Sequence, residues 1–314
     1  LLVLHPTFWT QENHLEWWCG RADDKTGERQ GYPSRHGIIV VSPRWSRQEQ
    51  PSYEYTPAEQ ERVLRCLRHA MRRFSIDADR ITIAGLGEGG AAAWDIALSH
   101  PDMWAGLVTI SATADKTIRH YKRNSHYIPM YHVMGELDKT KPSGGILEEY
   151  MTFKHNAMVV AYRGRGKEYF FNEVPRICEW VANADNRRIP APSEFEVDTM
   201  RGSDVSFWWL KVKDMPQSAS IDPILWDRRS RIRSLTASGR LLGDNGLSFG
   251  GPGDRFEVSL APTDGVRFDE EIRIKFGSRS IRYDFDNDIE TILMDTKTRA
   301  DRRRPVWMRM QVPQ

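Results

Sequence analysis

The chain has 314 residues, 39% of them hydrophobic and 28% charged, which suits a folded protein of about two domains rather than a disordered one. No apolar run approaches the roughly 18 residues of a membrane span, so an integral helical membrane protein is excluded. Lysine and arginine (45) against aspartate and glutamate (43) leave a net charge of +2, without the basic footprint of a nucleic-acid partner.

The three cysteines, Cys19, Cys66 and Cys178, include no CxxC pair, which argues against a disulfide framework or a thiolate metal site. Cys66 and Cys178 fall in amphipathic helical patterns and read as small buried thiols; reduced cysteines point to a cytoplasmic protein. The apolar run 1–4 is too short for a signal peptide and lacks its charged flank. It reads as a strand cut into at its start, with further residues expected upstream.

Along the chain, apolar β-rich runs at 1–5, 38–42, 81–84, 107–111, 129–134 and 158–162 alternate with helical patterns. The runs are continuous rather than alternating, as in strands covered on both faces. A helix is predicted over 57–74, with Thr56 as cap, Pro57 in the first position and Glu59 completing a capping box. Val63, Leu67, Met71 and Phe74 form its apolar stripe. Further helices fit 89–99, 145–155 and 172–182. Strand–helix repetition of this kind predicts a parallel sheet with crossover helices on both faces, over residues 1–185.

After a polar, proline-bearing linker at 186–194 the periodicity becomes two. Phe195 and Val197, Phe207 and Trp209, and Phe256, Val258 and Leu260 alternate with polar residues. Ile272, Ile274 and Phe276, then Gly277-Ser278, then Ile281, Tyr283 and Phe285 read as an antiparallel hairpin. A helix near 287–299 follows, with Asn287 as cap and Ile289, Ile292 and Leu293 facing inward. Residues 195–314 therefore form a mainly β, sandwich-like domain.

The chemistry-bearing segment is Gly85-Leu86-Gly87-Glu88-Gly89-Gly90, placed between the run 81–84 and a helix rich in small residues. Strand, sharp glycine-flanked turn and closely packed helix are the setting of the nucleophile elbow, G-x-S-x-G. The central residue is pushed up at the carboxyl edge of the sheet, where open α/β sheets bind ligands.

With Asp77-Ala78-Asp79-Arg80 before the strand, His100-Pro101-Asp102 after the elbow helix and Gly135-Glu136-Leu137-Asp138 after the run 129–134, residues 1–183 resemble the α/β-hydrolase superfamily, near its esterase and peptidase-like branch. Tyr162-Arg163-Gly164-Arg165-Gly166-Lys167-Glu168 follows the last strand, where that branch carries its triad histidine. The β module resembles one trailing similar uncharacterised bacterial hydrolases. The resemblance implies a triad of serine, acid and histidine at positions 87, 138 and 167.

The chain departs from that pattern. Gly87 stands where the serine would be and Lys167 where the histidine would be; only Asp138 matches. Glycine has no side chain to attack a carbonyl, and an unperturbed lysine is protonated at neutral pH. Losing a nucleophile or its base costs about 10⁶ in turnover in a triad hydrolase. The oxyanion-hole stretch appears as His5-Pro6-Thr7-Phe8; Pro6 supplies no N–H, leaving Thr7 and the backbone of Glu88.

Phe8, Trp9, Trp17, Trp18 and Trp45 follow the first two strands at the site-forming edge; core or lid packing is the favoured reading, and lining an apolar or sugar-binding pocket is the alternative. Glu88 and Lys167 read as ordinary solvated side chains, with an ion pair between them as the alternative; Asp138 either hydrogen-bonds Lys167 or caps a turn. The nine histidines show neither HExxH nor H-x-H, so no metal and no cofactor is expected. Arg302-Arg303-Arg304 reads as a solvated helix end.

The sequence thus predicts a catalytically inactive α/β-hydrolase-fold protein, a pseudo-esterase serving in binding, scaffolding or assembly. A small-molecule or protein ligand at the vestigial site and a homo-oligomer are the partners this admits. The alternative is a working hydrolase of carboxylic or carbohydrate esters using residues outside the triad, with Ser111 and Asp115 the nearest candidates.

Overall fold

The computed structural model describes residues 1–313 except 48, 114–118, 142–147, 149, 153–154, 218–219 and 227–231. The chain forms two compact units: Leu1–Leu98, Met103–Arg119 and Ser125–Arg188 make the first, and Ser99–Asp102, His120–Asn124 and Ile189–Gln314 the second.

In the first unit β1 (Leu2–Leu4), β2 (Thr82–Leu86), β3 (Gly106–Ile110), β4 (Met130–Gly135) and β5 (Ala157–Tyr162) lie side by side in that order. Every pairing is parallel. β2, β3 and β4 are buried along their whole length, which is why they read as unbroken apolar runs. β5, at the sheet edge, is only half-buried, with Met158 47% exposed.

The strand expected at 38–42 reduces to a single parallel bridge, Leu2 to Val41, supported by hydrogen bonds from Val3 N to Val41 O (2.8 Å) and Val41 N to Leu1 O (2.9 Å). This segment therefore pairs outside β1. The chain runs outward one way from β1 and the other way from β2, so the strand order reverses between them.

The helices are α1 (Gln11–Cys19), α2 (Tyr32–Arg35), α3 (Pro57–Arg73), α4 (Glu88–Ser99) and α5 (Val174–Ala182). One face of the sheet, through Val3, Ala84, Leu86, Val108, Ile110, Tyr131 and Val133, packs against Trp18 of α1 and Val174, Ile177, Cys178 and Val181 of α5. On the other face Trp94 of α4 stacks on His132 of β4, with ring centroids 4.3 Å apart. α3 carries the reciprocal capping box of Thr56 and Glu59. Val63, Leu67 and Met71 are buried, but Phe74 is 54% exposed. It sits beyond the last helical turn, where the chain is already extended and the helical period no longer aims the side chain. The helix expected over 145–155 lies largely outside the described residues.

The end of the first unit is tied down. Arg188 is buried, its backbone N–H donates to Asp79 O (2.9 Å) and its Nε to Asp79 Oδ1 (2.7 Å).

In the second unit β6 (Glu194–Thr199), β7 (Ser206–Phe207), β8 (Leu210–Lys213), β9 (Leu235–Leu242), β10 (Gly246–Gly250), β11 (Arg255–Leu260), β12 (Ile272–Phe276), β13 (Arg279–Tyr283) and β14 (Met308–Pro313) form two sheets. Their orders are β13-β12-β10-β9-β6 and β14-β11-β8-β7. Among the described residues only β10 and β12 of these strands pair in parallel. The sheets pack face to face through Phe195 on Trp209 (5.3 Å) and Phe249 and Phe276 on Phe256 (5.0 and 4.8 Å), a β-sandwich. The 272–283 hairpin has Ile274 opposite Ile281 and Phe276 opposite Arg279, closed by Gly277 at φ +56°.

Helix α6 (Ile289–Arg299) departs from expectation. Asp288, not Asn287, caps it, accepting from the N–H groups of Glu290 and Thr291. Ile289 and Leu293 are exposed (68% and 64%) and Asp295 is fully buried. Asp295 accepts from Arg299 Nε (2.6 Å) and from Val306 N (3.0 Å). The helix thus docks through a hydrogen-bonded carboxylate, with Ile289 and Leu293 turned outward and Ile292 half-buried.

Candidate functional site

At the carboxyl end of β2 the chain turns through Gly87 (φ +52°) into α4. The Gly87 N–H donates to Ile110 O (2.9 Å), and its carbonyl accepts from Gly90 N (3.0 Å) and Ala91 N (3.1 Å). A methyl group on Gly85 would overlap the carbonyl of Gly89, and one on Gly89 would overlap the carbonyls of Leu4 and His5. These two glycines let the helix lie directly on the strands. Gly87 differs, because a Cβ there would meet only Pro6 Cβ at 3.7 Å and Tyr169 Cε1 at 3.9 Å, ordinary van der Waals distances. The elbow is complete as a backbone and bare at its tip.

The turns after β4 and β5 are knitted together. Glu136 N donates to Tyr162 O (3.0 Å), Leu137 N to Arg165 O (2.8 Å) and Gly164 N to Glu136 Oε2 (2.8 Å). Asp138 is 2% exposed. Its Oδ1 accepts from the backbone N and Oγ1 of Thr140, both at 2.8 Å, whereas its buried Oδ2 has no hydrogen-bond partner among the described residues. Lys167 is exposed and makes no ion pair among the described residues. It bonds neither Asp138 nor Glu88, whose carboxylate instead accepts from Tyr53 N (3.2 Å). A lysine reaching Asp138 would have to desolvate its ammonium, which costs several kcal/mol (order of magnitude); Lys167 stays in solvent.

Ser111 lies at the carboxyl end of β3 with φ +48°. It is buried, and its hydroxyl donates to Glu168 O (2.5 Å). Asp115, its proposed companion, lies outside the described residues.

Among the oxyanion-region residues, Pro6 is buried and its carbonyl accepts from His5 Nδ1 (2.9 Å) and Trp9 N (3.3 Å). Thr7 is half-buried beside it. His5 stacks on Trp45, and Trp18 Nε1 donates to His14 Nε2 (3.0 Å). Burial depresses the His5 imidazole, and takes His14 down to about 3, with His5 adding to the effect. Both rings are held neutral.

The aromatic candidates divide. Trp18 and Trp45 are at most 1% exposed and belong to the core, so a ligand arriving from solvent does not meet them. Trp17 packs on Trp18 and Phe171. Phe8 is 84% exposed at φ +66°, and Trp9 is half-buried with its ring 5.3 Å from Tyr169 at 77°. Tyr169, nearest side chain but one to the elbow tip, was not singled out in the sequence. Its only signal is its place two residues after Lys167 in the same turn.

Among the described residues, no group of three or more His, Cys, Asp or Glu could hold a metal ion, and no helix is long and apolar enough to cross a membrane. A recess of about 220 Å³ lies at the opposite, amino edge of the sheet, lined by Leu2, Ile38, Leu67, Arg80 and Ile81 among others. It is remote from the elbow.

Neither the family models nor the curated proteins give a match to this chain. Among solved structures it is similar to a CIB-like hydrolase from Thermoplasma acidophilum (18% identity, 58% of this chain and 86% of that one, TM-score 0.40). Others are S-formylglutathione hydrolases from Staphylococcus aureus (13%, 58% and 83%, 0.43) and Agrobacterium tumefaciens (16%, 58% and 82%, 0.44). By its own strand order, its glycine-flanked elbow and the paired turns after β4 and β5, the first unit has the α/β-hydrolase fold.

Proposed function

We propose that this protein is a non-catalytic member of the α/β-hydrolase architecture, which uses the carboxyl edge of its parallel sheet to bind a ligand in a scaffolding or assembly role. The observation that carries the reading is Gly87: the elbow around it is intact, yet its tip has no side chain to form an acyl intermediate. Two further features support it. Lys167 faces solvent without an ion pair among the described residues, so no base is held against Asp138. Pro6 and Tyr169 come within 4 Å of where a Gly87 Cβ would lie, bounding the space over the tip on two sides.

The test is a serine-directed fluorophosphonate probe together with short-chain p-nitrophenyl esters. No labelling and no turnover above background are expected. Robust turnover abolished by Lys167→Ala would overturn the reading.

The second reading, an ester hydrolase working outside the triad, draws on the left-handed backbone of buried Ser111, since strain of this kind gathers at functional sites. Against it, the Ser111 hydroxyl donates to a backbone carbonyl rather than to an imidazole. Ester turnover lost in Ser111→Ala, with folding retained, would favour this reading over the first.

A further inference from the structure

We propose that the recess at the amino edge of the parallel sheet binds a small aliphatic carboxylate, held by Arg80. The recess lies within the first unit and stands apart from the elbow. Its volume of about 220 Å³ falls below the roughly 300–1,000 Å³ of pockets for drug-sized ligands, so its occupant is small. Apolar wall comes from four separate segments. Leu67 belongs to the buried stripe of α3, Ile81 precedes β2, Val181 sits in the last turn of α5, and Ile38 opens the segment that bridges to β1. Leu67, Ile81 and Val181 are buried and Ile38 is half-buried.

Arg80 supplies the charge. It is half-buried, and its Nη2 donates to the carbonyl of Ala182, another lining residue (2.7 Å). Its buried Nε has no hydrogen-bond partner, and it makes no ion pair among the described residues. The neighbouring acids are committed elsewhere. Asp77, which also lines the recess, accepts from Asp79 N (3.1 Å) at Oδ1, and its Oδ2 lies 3.8 Å from Arg187 Nη2. Asp79 takes the Nε of Arg188 (2.7 Å). A guanidinium drawn out of water without a counter-ion is costly. A carboxylate answers its charge and its Nε–H together, through a forked hydrogen bond. Exposed Arg35 and Arg73 stand one and two residues before the lining residues His36 and Ser75, and such positive surroundings favour an anion. An inorganic anion would leave the four apolar side chains against water, whereas a short aliphatic chain covers them.

The experiment titrates the full chain by calorimetry with 4-methylpentanoate, with its neutral isostere 4-methylpentanamide and with inorganic phosphate. The acid should bind with a Kd below about 1 mM, at least about tenfold more tightly than the amide or phosphate. Arg80→Met should weaken the acid by at least about tenfold and leave the amide unchanged. Arg80→Lys, which keeps the charge and loses the fork, should fall between. Ile38→Trp, filling the recess from its half-buried wall, should weaken acid and amide alike. Melting temperatures identify any variant that has simply unfolded. Arg80 also holds the Ala182 carbonyl, and Ile38→Trp gives an arm that leaves this bond in place. Equal affinity for acid and amide, or phosphate bound as tightly as the acid, would overturn the proposal. So would no binding of the acid at about 10 mM, or acid affinity indifferent to Arg80→Met and Ile38→Trp.

Discussion

Gly85, Gly87 and Gly89 share one turn but answer to different constraints, and substitutions should separate them. Gly87→Ser has the space it needs (3.7 and 3.9 Å to its neighbours) and bears only the left-handed φ, about 1–3 kcal/mol. Gly89→Ala drives a methyl into the backbone of β1; it should cost at least about 3 kcal/mol or abolish folding. Urea midpoints of the two variants give the comparison, and equal losses would mean the helix does not rest on the strand as described. Gly87→Ser alone should restore no ester turnover, because no imidazole stands at position 167. The bare tip was legible from G-L-G-E-G, a local pattern. The isolation of Lys167 was not, because where a long flexible cation points depends on the cost of desolvating it against Asp138. Tyr169 escaped notice for a similar reason: contact across a sheet edge leaves no spacing signature.

The capping box of α3 was legible in the sequence and carries measurable energy, whereas α1, between the Thr10 cap and Gly20, was not read despite its local signals. In α3, Thr56→Ala should destabilise by about 1 kcal/mol. Glu59→Ala should cost more, about 2–3 kcal/mol, since Glu59 is buried and also accepts from Gln50 Nε2 (2.5 Å) and Glu54 N (3.1 Å). Chemical denaturation ranks the pair; equal effects would show that the extra donors find other partners. Elements whose burial depends on a neighbour were read less well. The run 38–42 lies at an edge and keeps only one bridge. Helical period placed Ile289 and Leu293 on one stripe of α6, but period does not say which stripe docks, and the buried carboxylate of Asp295 takes the inner side.

For the chain as a whole, acid should act through histidines buried neutral. Burial lowers His14 and His132 from 6.5 to about 3 and depresses His5 as well. Between those values the unfolded chain takes up protons that the folded chain refuses. Stability is therefore fully present above about pH 6.5 and is lost as pH falls toward 3, at about 1.4 kcal/mol per pH unit for each such histidine. Urea midpoints from pH 7 to 4 should fall steeply, and His132→Phe should reduce the slope by about one proton. An unchanged slope would mean His132 is protonated in the folded state. Sequence by itself determined the alternation of strand and helix in the first part, the change to two-residue period after residue 194, and the absence of a hydroxyl at the elbow. Each is written in neighbouring residues through chirality, period and side-chain chemistry. Only the tertiary structure decided that Asp138 is buried with an unsatisfied oxygen, that Lys167 turns to solvent, that Trp18 and Trp45 are core while Trp9 meets Tyr169, and that α6 docks by its acid. These depend on desolvation and packing between segments far apart in the chain, which no local pattern encodes.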